Sequence, residues 1–117
     1  MTTAMTILGE LAKTVRSKNA GTDRITFDVI FSDLATYEHV RDSGALTRET
    51  VRNLFGIEDS RITDFVHYDP AFAIKFTIQR EKPSSSPGDR DVFGSQQYPP
   101  LLGIPVPAMP AAAGERV

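Results

Sequence analysis

Four apolar residues, Ile25, Phe27, Val29 and Phe31, alternate with Thr26, Asp28, Ile30 and Ser32. Side chains on a strand point to opposite faces in turn, so this period of two predicts a half-buried β-strand over 25–32. Its β-branched and aromatic composition agrees. The alternation returns at Phe72, Ile74, Phe76 and Ile78, behind a β-branched and aromatic segment at 61–68. Asp69-Pro70 between the two is a turn signal, so a hairpin is expected there. Such strands must pair with one another and pack their apolar face on a second layer.

The second layer is predicted to be helical. Asp33 can cap a helix through Ser43, with Leu34, Tyr37 and Val40 on its faces and Gly44 as a left-handed terminator. Thr47 caps a second helix, Leu46 and Val51 form a hydrophobic staple across its start, and Gly56 closes it. Ile7, Leu11 and Val15 recur every four residues beside Leu8 and Ala12, which predicts a further helix over 6–17. Together these elements give an α+β domain with a mainly antiparallel sheet packed on helices.

Proline placement bounds that domain. Seven of the eight prolines lie from Pro83 to Pro110, and only Pro70 interrupts the first eighty residues. A core over 5–81 is therefore followed by a loop and a Pro-rich extended arm over 82–107. Val92, Phe93, Tyr98, Leu101, Leu102, Ile104 and Val106 are too many apolar residues for a solvated tail, while the prolines forbid a central strand. The arm is expected to lie across the domain or a neighbouring chain. The Ala- and Pro-rich stretch 108–117 reads as a disordered tail.

At 117 residues the chain is one domain, and any second lobe must come from a partner. Its net charge of -2, with 13 Lys and Arg scattered along it, supplies no basic surplus to neutralise phosphates, so nucleic acid is not the expected ligand. No apolar run approaches a membrane span and no basic, apolar leader opens the sequence, which makes the cytoplasm the expected location. The absence of cysteine excludes disulfides, thiolate metal sites and cysteine nucleophiles.

The most chemically dense segment is Arg16-Ser17-Lys18-Asn19-Ala20-Gly21, placed by the helix prediction at a helix end. Arg offers a planar fork to a carboxylate or phosphate, Lys a point charge, and Gly a close backbone approach. The same residues also serve as an ordinary helix C-cap. His67 is a candidate for proton transfer, although a strand histidine is commonly structural. With His39 as the only other histidine, no metal site is assigned. Asp28 lies on the less apolar face of the best strand; if that face were covered, it would need Lys18 or Arg16 as a partner. Ser86-Pro87-Gly88-Asp89 and Ser95-Gln96-Gln97 add polar groups on loops, where binding residues are often carried.

The ordered set Leu8-Gly9-Glu10-Leu11-Ala12, the Arg16 to Gly21 block, Thr26-Phe27-Asp28, Leu46-Thr47-Arg48, Asp69-Pro70-Ala71 and Ser86-Pro87-Gly88-Asp89 resembles a small bacterial family. This is the domain-of-unknown-function family that accompanies acyclic terpene utilisation A-like proteins. A weaker similarity connects the chain to the C-terminal ferredoxin-like domain of those larger proteins, which carries an Arg-Ser-Gly-Asp-Lys-Gly block before a strand, a helical stretch and a hairpin. Arg16, Ser17 and Lys18 stand in that block, whereas Asn19 and Ala20 depart from it. The resemblance implies a ferredoxin-like arrangement in which segment 6–17 begins as a strand.

It also implies the small subunit of a two-component enzyme, a hydratase, lyase or isomerase acting on a carboxylate or acyl-thioester, with the larger acyclic terpene utilisation A-like protein as partner. In that expectation Arg16, Ser17, Lys18, Asn19, Gln96 and Gln97 hold an anionic small molecule, and His67 or Asp89 transfers a proton. The alternative expectation is a non-catalytic binding or assembly module that self-associates through its arm.

Overall fold

A computed structural model describes residues 4–21, 23–80 and 98–109. Thr14–Asn19 (β2) and Arg24–Ile30 (β3) form one antiparallel hairpin, and Ile62–Tyr68 (β4) and Ala73–Gln79 (β5) form the other. The hairpins join through β3 and β5 into a four-stranded antiparallel sheet of order β2-β3-β5-β4. Two helices, Leu34–Ser43 (α2) and Arg48–Phe55 (α3), carry the chain from β3 to β4. Because β5 lies between them, β3 and β4 run parallel, which makes this connection one split β-α-β crossover. Among the described residues no helix is long and apolar enough to cross a membrane.

The expected alternation sets the core. Phe27, Val29, Ile74 and Phe76 are buried on one sheet face, and the Phe27 and Phe76 rings stack at 4.8 Å with Phe65 on the far side of Phe76 at 5.6 Å. Tyr37, Val40, Leu46 and Val51 close this core from the helical layer. The helix caps are those the sequence predicts: Asp33 accepts from the Thr36 N–H at 2.8 Å, Thr47 accepts from the Thr50 N–H at 3.2 Å, and Gly44 and Gly56 take positive φ. Phe72 belongs to the turn and not to the strand, since the 3-10 turn Asp69–Ala71 ends on it with φ 53°.

The helix expected over 6–17 does not form. Met5–Ile7 is a strand (β1), Leu8–Leu11 is one helical turn (α1), and β2 begins at Thr14. The spacing of Ile7, Leu11 and Val15 imitates a helical stripe, but Ile7 is exposed and Leu8 is the residue at 0% exposure. Pairing with β3 supplies the backbone hydrogen bonds from Thr14 onward, and tertiary pairing of this kind overrides a weak local preference. The Arg16 block is consequently an edge strand instead of a helix end, and Gly21, at φ 86°, belongs to the β2–β3 turn.

The arm returns to the core. A 3-10 turn, Pro99–Gly103, leads to the strand Pro105–Pro107 (β6), which pairs with β1 as a separate two-stranded ribbon. The segment 6–17 does begin as a strand, but that strand joins the ribbon and not the four-stranded sheet. Leu101, Ile104 and Val106 are buried in the same cluster as Phe27 and Tyr37. A Cβ at Gly9 would stand 3.2 Å from the Leu102 carbonyl oxygen, so glycine permits α1 and the arm to meet. His39 Nε2 lies 2.6 Å from the Pro107 carbonyl, and its N–H donates there, fastening α2 to β6. The residues expected to form the rest of the arm, 82–97, and most of the tail lie outside the described residues.

A second fastening connects α2 to the β4–β5 turn. The buried Tyr37 hydroxyl donates to Asp69, Arg41 reaches the same carboxylate at 3.3 Å, and the Arg41 guanidinium stands 5.3 Å from the Tyr37 ring centroid. The Tyr37 hydroxyl, and after it Arg41, hold the Asp69 carboxyl below its ordinary pKa.

Two outcomes follow from this packing. Phe76→Ala should lower stability by about 3–5 kcal/mol in urea unfolding, and an unchanged midpoint would remove Phe76 from the core. Asp69 has a folded pKa below its unfolded value of about 3.9, so its contribution is complete above that value and is lost as the pH falls through the folded pKa. The stability gap between wild type and Asp69→Asn should therefore be widest near neutrality and close in acid; a gap independent of pH would contradict the coupling.

Candidate functional site

Strand alternation sorts the Arg16 block onto two faces. Ser17 and Asn19 point to the core side with Phe27 and Ile25, their partners across the hairpin. Arg16 and Lys18 point to the opposite face, open among the described residues, where their partners are Asp28 and Thr26. Successive side chains of a strand diverge, so the four residues cannot surround one small ligand as a helix-end turn would. Ser17 is buried, and Asn19 accepts a hydrogen bond from Arg80 at 2.8 Å.

The open face is built in cross-strand rows. One row carries Arg16, Asp28, Lys75 and Val66 on β2, β3, β5 and β4; the next carries Lys18, Thr26, Thr77 and Asp64. Asp28 is only 3% exposed. Arg16 Nε donates to its Oδ2 at 3.0 Å, and Lys75 Nζ stands 3.5 Å from its Oδ1. The Arg16 and Lys75 side chains remain 58% and 45% exposed, so their stems shelter the carboxylate while much of each cation stays in solvent. The Thr26 and Thr77 hydroxyls meet at 3.2 Å beside them. One hydroxyl donates to the other, which leaves one hydroxyl proton of the pair for a further acceptor.

The conditional partner of Asp28 is thus Arg16 and not Lys18, and Lys75 is the member that sequence reasoning missed. Its signal was present: Lys75 stands on the polar side of the Ile74-to-Ile78 alternation. Only the β3–β5 register sets it opposite Asp28.

His67 is on the other edge strand and the other face, opposite Ile74. It is exposed, and its ring meets Phe65 edge-on at 5.8 Å. Three strand spacings separate β4 from β2, about 14 Å, so His67 and the Arg16–Lys18 pair do not converge. Asp89, Gln96 and Gln97 lie outside the described residues. Among the described residues no group of three or more His, Asp and Glu could hold a metal ion. A groove of about 600 Å³ runs between α2 and β6, lined by Glu38, His39, Asp42 and Ser43 among others. His39 is already engaged there by Pro107.

No curated protein and no solved structure matches the chain. A family model described as a domain of unknown function, DUF4387, matches residues 8–105, from α1 through the start of β6. That span covers most of the chain, which therefore belongs to the DUF4387 family.

Proposed function

We propose that this chain is the small subunit of a two-component enzyme and completes a larger protein that carries most of the reacting groups. The observation that supports this reading is the separation of the candidate groups: His67 and the cations Arg16 and Lys18 occupy opposite edges and opposite faces of one sheet. Proton transfer needs its acid or base within hydrogen-bond reach of the substrate that the cations would orient. The cations instead form part of an organised surface. A buried carboxylate costs desolvation, and a face built only for water has no need of one; Asp28 earns its place by holding Arg16 and Lys75 in a set arrangement.

The partner in this proposal is an acyclic terpene utilisation A-like protein, and the reaction is a hydration, elimination or isomerisation of a carboxylate or acyl-thioester. Both rest on the family resemblance carried by the Arg16 to Gly21 block and the Asp69-Pro70-Ala71 turn. Arg16 and Lys18 then act at the boundary between the chains. A homo-oligomeric assembly module is the second reading, favoured by the exposed Met5 and Ile7 on one side of β1.

Co-expression with the larger protein tests the proposal. A defined complex is expected, with turnover that needs both chains. Turnover by the small chain alone, or full activity of the larger protein without it, would reject the subunit reading. In the complex, His67→Ala should leave kcat within about twofold, whereas loss of a general acid or base costs about 10²–10⁴-fold.

A further inference from the structure

We infer that the open face of the four-stranded sheet is a docking surface for a helix of a partner protein, one with an apolar stripe and an acidic edge. This deepens the subunit reading and rests on it. The face is divided in chemistry. Toward β2 it presents Arg16 and Lys18 with Lys75 behind them; toward β4 it presents Val66 and Tyr68, 43% and 49% exposed, with the half-buried Ile30 beside them and Ala73 buried beneath. Among the described residues, register places four cations on this face, Arg16, Lys18, Arg24 and Lys75, against the two carboxylates Asp28 and Asp64. The face is therefore net positive on a chain whose net charge is -2.

Its dimensions select the occupant. Four strands span about 14 Å across, and the seven residues of β3, β4 and β5 span about 23 Å along each of those strands. An α-helix with its side chains is about 10–12 Å wide, so one helix laid along the strands covers the face. Its apolar stripe would rest on Val66 and Tyr68, and carboxylates on one edge would reach Lys18 and Arg16. Asp28 meets Arg16 through Nε, so the terminal guanidinium nitrogens are not the atoms engaged in that hydrogen bond. A bidentate carboxylate requires such donors.

A second copy of the chain fits less well. Face-to-face pairing brings two net-positive surfaces together. The chain's own acidic helix, α2, already has Asp42 on Arg41 at 2.8 Å and Glu38 at 4.0 Å. Placing α2 of one copy on the sheet of the next is also a head-to-tail contact, which closes only as a ring.

Two experiments test the surface and the subunit reading separately. The first uses the isolated chain and a synthetic helical peptide with a leucine stripe flanked on one side by glutamates, beside its lysine counterpart. Backbone amide shifts should move on β2, β3, β5 and β4 with the glutamate peptide, weaken steeply with added salt, and be absent with the lysine peptide. Lys18→Glu should weaken binding about tenfold or more while leaving the circular dichroism melting curve unchanged. Equal binding of both peptides, binding elsewhere on the chain, or no binding would overturn the proposal. The second places a photocrosslinking residue at Tyr68, and separately at Ile7, in the complex with the larger protein. Crosslinks from position 68 to an acidic, amphipathic helical segment are expected. Crosslinks to the larger protein from position 7 alone would overturn the docking face and leave the subunit reading standing. Crosslinks from position 68 to a second copy would overturn the partner assignment, and failure of any complex to form would remove the subunit reading itself.

Discussion

Phe27 on β3 and Phe76 on β5 are paired in register and stacked at 4.8 Å, and the rest of the molecule is organised by that pairing. With the two rings fixed on the core side, Ile25, Val29, Ile74 and Ile78 must share their face, and Asp28, Lys75, Thr26 and Thr77 must share the other. A slip of β5 by one residue would turn its side chains over, burying Lys75 and exposing Phe76. The aromatic stack continues outward to Phe65 and is closed from the helical side by Phe55, whose ring lies 5.5 Å from Phe27. Hydrophobic burial therefore sets the register, and the register builds the polar face.

The polar face has its own energetic logic. A carboxylate taken out of water needs charged partners to offset its desolvation, so Asp28, nearly buried, depends on the half-exposed cations that flank it. Those cations are ordered by it in return: Arg16 comes from β2 and Lys75 from β5, and the carboxylate between them ties three strands. A surface arranged in this way loses less side-chain entropy on meeting a carboxylate than free lysines and arginines would. That is the link from packing to the docking role proposed for the face.

The other side of the molecule is held by fastenings distant in sequence. Tyr37 and Arg41 bring α2 to Asp69 at the β4–β5 turn, His39 brings the same helix to Pro107, and Arg48 brings α3 to Asp59, before β4, at 3.1 Å. The helix caps define where each helix starts and stops, while these contacts define where it lies. Both helices lie in the split β-α-β crossover, and His39 holds one of them to the β1–β6 ribbon.

Local chemistry by itself determined the alternating strands around Phe27 and Phe76, the caps Asp33 and Thr47, the terminators Gly44 and Gly56, and the turn at Asp69-Pro70. Each depends on a spacing or a side-chain hydrogen bond reaching no more than a few residues, so each is legible along the chain. The α+β class follows from them. Segment 6–17 was not legible, because its apolar spacing satisfies a helix while its backbone is claimed by β3 and β6. The candidate site divided in the same way: Arg16 and Lys18 stand out by composition, but their separation from Ser17, Asn19 and His67 and their association with Asp28 and Lys75 do not. Those relations depend on which strands become neighbours and in what register. Contacts such as Asp28 with Lys75, 47 positions apart in the chain, form only when the whole sheet and its core form together.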